Sequence, residues 1–299
     1  MSFTKSFAGL AALTVSVLAL TGAALAADYN WTFQTSESAG EPGFINKQKW
    51  ADSVTELSGG RIEIELLPIG AVVPHTDTLE SVGAGILQGH LTDPSYFAGK
   101  DPAFAMMGNL VGAWSDPFEL LGFMQSGGGN ELCAELVKPY GVHLIGTAAT
   151  EPEAFVASVP LRSVEDLKGL KMRAPEGMVY EIFSKAGASP VALPGSEVFT
   201  SLDKGVIDAA DYTVFAANQG QGMNDIAHYP LYPGFHSLPL IDISMNKEIW
   251  DGLPADLQAI LNASVDQFIF QHIYSVRQLD AAAVAEAKAN PEIEIINWS

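Results

Sequence analysis

Two spacings take turns along this chain. Tyr29, Trp31 and Phe33 stand between polar residues, which predicts a first strand. Trp50, Val54 and Leu57 recur at i, i+4, i+7 and predict a helix between Gly43 and Ser58, ended by Gly59-Gly60. Arg61 to Leu66 alternates again and is closed by Pro68. A helix from about Thr76 to Gly83 and an apolar segment from Ile86 to His90 follow. This β-α-β-α-β order predicts a mostly parallel sheet with helices on its faces.

From Thr92 to Gly129 the periodicity fades into a loop-rich stretch with Asp93-Pro94, Asp101-Pro102, Asp116-Pro117 and Gly127-Gly128-Gly129. Aromatics are dense here, and Tyr96, with its polar tip, is the best candidate to line a cleft. A helix from Asn130 to Lys138 and a strand from Val142 to Thr147 complete a first unit. Cys133, the only cysteine, lies at helical spacing with Leu132, Leu136 and Val137, which predicts a buried structural thiol.

The run from Ser163 to Tyr212 starts a second unit. A short polar helix leads to a strand ending on Arg173, and Met178, Val179, Ile182, Phe183 and Ala186 mark one helix face closed by Gly187. Ser196 is read as the cap of a further helix, and Val206-Ile207 begin a strand ending at Asp211 and Tyr212. After a loop-like passage, Ile241 to Met245 reads as a strand crossing back to the first unit. A long helix is predicted from about Pro254 to Lys288, and Glu292 to Trp298 is strand-like.

The amino terminus changes the picture. Lys5, the apolar run from Phe7 to Leu20 and Ala24-Leu25-Ala26 predict a secretory signal peptide over residues 1–26. The run is short for a membrane span of about 20 residues. With 15 basic and 35 acidic residues the net charge is −20, which excludes nucleic acid as a partner and gives an anionic ligand no long-range help. Any carboxylate must therefore be held by local positive groups.

Catalytic motifs are missing: no nucleophile elbow, no phosphate loop and no H-E-x-x-H run occurs, and the six histidines lack ligand spacing. The chain reads as a binding protein and not an enzyme. Arg173 offers a fixed fork of donors that matches a carboxylate. Asp211-Tyr212, at a neighbouring strand end, is either the salt-bridge partner of that arginine or a cation ligand.

Leu167-Lys168-Gly169-Leu170-Lys171-Met172-Arg173, then Gly187-Ala188, Pro190-Val191, Glu197, Leu202 and Gly205-Val206-Ile207-Asp208, resemble the DctP-type solute-binding subunits of TRAP transporters. Gly70 to Pro74, Pro94 to Lys100, Gly127 to Gly129 and Tyr232 to His236 are similar to the branch that binds 2-oxo acids and related monocarboxylates. The resemblance covers most of the chain. It implies an α/β periplasmic binding protein fold of two lobes, with crossing strands and a long C-terminal helix. Lobe I is expected over residues 27–148 and 238–275, and lobe II over 149–237 and 276–299.

The resemblance further implies a periplasmic protein that captures a small organic acid and delivers it to the membrane subunits of a TRAP transporter. It leaves open a homodimer and, as another role, ligand sensing for a signalling receptor; a secreted hydrolase is the remaining alternative. It assigns Arg173 to the substrate carboxylate, with Tyr96, Asp211, Tyr212, Phe235 and His236 in the binding site. A sodium or calcium ion bridging substrate and protein would use Asp211, Tyr212 and position 237. Here Ser237 stands where the branch often has a second acid, which would weaken or abolish a divalent site. Thr150-Glu151-Pro152-Glu153-Ala154-Phe155 replaces a Gln- and Trp-containing stretch, which points to a substrate other than a plain 2-oxo acid.

Overall fold

The computed structural model describes residues 27–298, so the segment read as a signal peptide lies outside the described residues. The first alternating run forms β1 (Tyr29–Thr35), and Pro42 opens α1 (Pro42–Leu57), which buries Trp50, Ala51 and Val54. β2 (Ile62–Leu67), α2 (Thr78–Gly83) and β3 (Gly89–Thr92) follow, with β1 parallel to both β2 and β3. Gly89 is required there, because a Cβ would sit 2.3 Å from the Phe33 ring.

The stretch from Thr92 to Gly129 is more helical than its sequence suggests. Asp93 accepts from Ser95 N at 2.7 Å and starts a 3-10 turn, Pro94–Phe97. Asp101 accepts from Ala103 N ahead of α3 (Ala103–Gly108), and Asp116 from Phe118 N at α4 (Pro117–Ser126), both at 2.8 Å. Asp93 and Asp116 supply caps, each with a proline at a first-turn position that needs no donor, while Pro102 itself stands at the cap position of α3. Read as turns, these pairs are in fact helix starts.

α5 (Gly129–Val137) buries Cys133, as its spacing predicts. β4 (Val142–Ala149) then runs through Glu153 into β5 (Ala154–Ala157), a strand of the other sheet that the hydrophobic pattern did not announce. The second sheet is completed by β6 (Lys171–Arg173), β7 (Ser189–Val191) and β8 (Ala209–Thr213), with α6 (Met178–Lys185) and α7 (Val198–Asp203) between them. α8 (Phe215–Gly220) comes next, and β9 (Leu240–Asn246) returns to the first sheet ahead of α9 (Lys247–Gly252) and α10 (Ala255–Ala289).

The two sheets run in the orders β2-β1-β3-β9-β4 and β5-β8-β6-β7. Neither is purely parallel: β9 is antiparallel to β3 and β4, and β5 to β8. The exceptions lie where the chain crosses between lobes, since a strand arriving from the other lobe runs against those built by β-α-β units. Helix α10 serves both lobes. Leu257, Leu261, Val265, Phe268 and Ile273 join the core of the first, while Val276 packs with Val214 and Ala217, and Ala287 with Phe215. The last residues form no strand; Ile296 makes a single bridge to Leu231. Among the described residues no helix is long and apolar enough to cross a membrane.

Candidate functional site

Arg173 ends β6 in the middle of its sheet, so the carbonyls of both flanking segments lie within its reach. Its Nε donates to Leu193 O at 3.1 Å and its Nη1 to Asp211 O at 2.6 Å. The guanidinium carbon lies 5.8 Å from the centroid of the Tyr212 ring. Although only 3% exposed, Arg173 borders a cavity of about 480 Å³ shared with Gly70, His75, Tyr96, Glu176 and Leu193. Two donors hold the fork in place and Nη2 is left over, which suits it to a carboxylate arriving through the cavity.

The Asp211 carboxylate is not the partner of that arginine. Its Oδ1 lies 2.6 Å from His236 Nε2, and its Oδ2, fully buried, has no hydrogen-bond partner. Burial works against the ion, but His236 and Arg173 beside it hold Asp211 below its ordinary pKa. Ser237, the expected ion ligand, has its hydroxyl engaged: Oγ accepts from Asn109 Nδ2 at 2.6 Å and donates to Glu153 Oε2 at 2.5 Å. Glu153 thus brings a carboxylate beside Asp211 from the β4–β5 crossing. Burial, and then the Asp211 charge, push Glu153 well above the usual glutamate range.

Tyr96 borders both the arginine cavity and a smaller chamber of about 80 Å³. Its ring meets His75 edge-on at 4.6 Å. Burial, and then Arg173, depress the His75 pKa, so this ring is inclined to face the cavity neutral. Tyr212 lines the smaller chamber and donates to Glu41 Oε1 at 3.0 Å, joining the lobes. Gly195 makes room for it, since a Cβ there would lie 2.5 Å from the Tyr212 ring. Phe235 lines neither cavity; it packs on Trp298 at 4.6 Å and on His236 at 4.8 Å.

Arg173, Tyr96 and Tyr212 are therefore brought to the cavities, with Asp211, His236 and Ser237 in the network behind them. Glu41, Lys47, His75 and Asp93 join them without having been expected. Lys47 alone left a trace, as a lysine on the same helical face as Trp50 and Val54. It is buried, and its Nζ lies 2.7 Å from Glu37 Oε2. Among the described residues, the titratable groups whose ligand atoms converge enough to hold a metal ion are Glu153, Asp211 and His236.

The sequence profile of bacterial extracellular solute-binding protein family 7, DctP, matches residues 33–299. The chain belongs to the DctP family of TRAP solute-binding proteins. Members of this family are periplasmic binding proteins, not enzymes. A monocarboxylate 2-oxoacid-binding periplasmic protein of Nostoc is 31% identical over 78% of this chain, which spans 64% of that relative's length. A TRAP periplasmic solute binding protein of Rhodobacter sphaeroides, solved in an apo open form, is 51% identical over 90% of this chain and 86% of its own, with a TM-score of 0.72. One from Pseudoalteromonas atlantica, with bound sodium and pyruvate, is only 26% identical over 91% and 83%, yet its TM-score is 0.81. The less identical chain superimposes better.

Proposed function

We propose that this protein captures a small organic acid, a 2-oxo acid or related monocarboxylate, between its lobes and hands it to TRAP membrane subunits from the periplasm. The observation that carries the reading is Arg173, buried, oriented by two backbone carbonyls and bordering a 480 Å³ cavity between the lobes. Lobe I comprises residues 27–148 and 238–275, and lobe II 149–237 and 276–299. The 2-oxoacid name of the Nostoc relative and the pyruvate in the Pseudoalteromonas structure support the ligand class.

A bridging cation, as sodium is present with pyruvate in that structure, also suits the donors here. The unpartnered Asp211 Oδ2 is one ligand, and Glu153 supplies the second carboxylate that position 237 lacks. Such an ion would offset the paired carboxylates beside the substrate.

A thermal-shift panel of 2-oxo, 2-hydroxy and dicarboxylic acids, with sodium, calcium or chelator, is the direct test. An organic acid held here should bind with roughly micromolar affinity, about −8 kcal/mol. Arg173→Ala should cost about 2–5 kcal/mol in calorimetry while the protein stays folded. An unchanged dissociation constant in that variant overturns the assignment.

A further inference from the structure

The chamber behind Tyr96 is lined by more carboxyl groups than a carboxylate site needs. Its wall includes Glu41, Asp93 and Glu153, and its one ammonium, Lys47, is already paired with Glu37. The bonds these acids receive come from uncharged donors. Glu41 Oε1 accepts from Ser38 N and the Tyr212 hydroxyl, and Asp93 Oδ1 from Ser95 N. Burial pushes Asp93 up to about 6. A cationic group arriving beside such carboxyls would favour their ionised form and displace their protons.

A second observation points the same way. Thr92 lines this wall, is 1% exposed, and its Oγ1 has no hydrogen-bond partner. Buried hydroxyls are rarely left alone, so a donor or acceptor is owed to it. The chamber, about 80 Å³, holds the volume of roughly three water molecules, enough for an ammonium or amidinium group and little more. A metal ion suits it less, because Glu41 and Asp93 are not among the acids that converge on one point. Spaced acceptors match a nitrogen that points several N–H bonds outward.

Resting on the reading of Arg173 as a carboxylate clamp, we infer that the ligand is a zwitterion: a small amino or amidino carboxylate spanning the two cavities past Tyr96. Its carboxylate meets Arg173, and its positive nitrogen meets Glu41, Asp93 and Thr92 Oγ1. The two cavities then form one site with opposite ends. A plain 2-oxo acid satisfies only the arginine end.

Calorimetry with matched ligands tests this: pyruvate against alanine, butanoate against 4-aminobutanoate, and a cyclic amidinium carboxylate. At least one cationic carboxylate should bind tenfold or more tightly than its uncharged counterpart. Its binding at pH 6 should release a proton, seen as a heat that changes with the buffer. Glu41→Gln should remove that advantage, and Asp93→Asn gives the same readout should the first variant fail to fold. If pyruvate or butanoate binds as tightly as every cationic ligand, and Arg173→Ala still abolishes that binding, the inference falls and the carboxylate clamp stands. If Arg173→Ala leaves all affinities unchanged, the clamp itself falls, and the zwitterion with it.

Discussion

Each lobe buries a histidine beside an aspartate. In lobe I, His90 on β3 faces Asp242 on β9 with Nε2 3.5 Å from Oδ2, both side chains fully buried. In lobe II, His236 and Asp211 are equally deep but only 2.6 Å apart. The surroundings differ more than the pairs do. His90 stacks on Phe97 at 5.8 Å, and Asp242 accepts from the Ser244 hydroxyl inside a sheet closed by strands on both sides. The Asp211 pair adjoins Glu153, and the Asp211 backbone holds Arg173 at the cavity. Residue type and depth are shared; what sets the second pair apart is its place at a strand end, where the chain crosses between lobes.

Isosteric amides should separate the two pairs most strongly. Asp211→Asn should weaken ligand binding at least tenfold, about 1.4 kcal/mol, by removing the ion that His236 and Arg173 face. Asp242→Asn should leave affinity within twofold and lower stability by about 1–3 kcal/mol, read in denaturant unfolding. Equal losses of affinity in both variants would erase the distinction.

A smaller effect comes from pH. Asp93 titrates at about 6 when folded, above its ordinary 3.8, so the folded protein holds that proton more tightly. Its contribution is fully present below the ordinary value and is lost as pH rises through about 6. Asp93→Asn should flatten the fall in stability across that window, a change on the order of 3 kcal/mol at most. A pH profile of the same slope in the variant would contradict this. The smallest effect belongs to a charged pair in neither core nor cleft. Arg162→Ala, which breaks the exposed Arg162–Glu294 contact at 2.7 Å, should change stability by less than about 1 kcal/mol and leave binding alone.

The alternating and helical spacings made most strands and helices legible before any coordinates, and Arg173 could be picked out because it ends a strand. Asp211 and Tyr212 were visible for the same reason. Their partners were not. Whether Asp211 faces an arginine, an ion or a histidine depends on where residue 236 returns, 25 positions later in the chain. Glu41 lies 171 residues from the Tyr212 hydroxyl it accepts from. Before Pro42 it reads as an ordinary helix start. β5 escaped notice because a four-residue, fully buried strand has no alternation to display. The aspartates before proline misled in the opposite direction, since caps and turns draw on the same residues.

The crossing between the lobes is tied twice at one place. Glu153 N donates to Ser237 O at 2.9 Å, and the side chains of the same two residues are bonded to each other. Glu153 is therefore a wall of the chamber and a rivet in the joint at once. A group that binds the Glu153 carboxylate competes directly for the oxygen that accepts from Ser237 Oγ. A substitution at position 153 therefore alters the chamber wall and the tie between the lobes together.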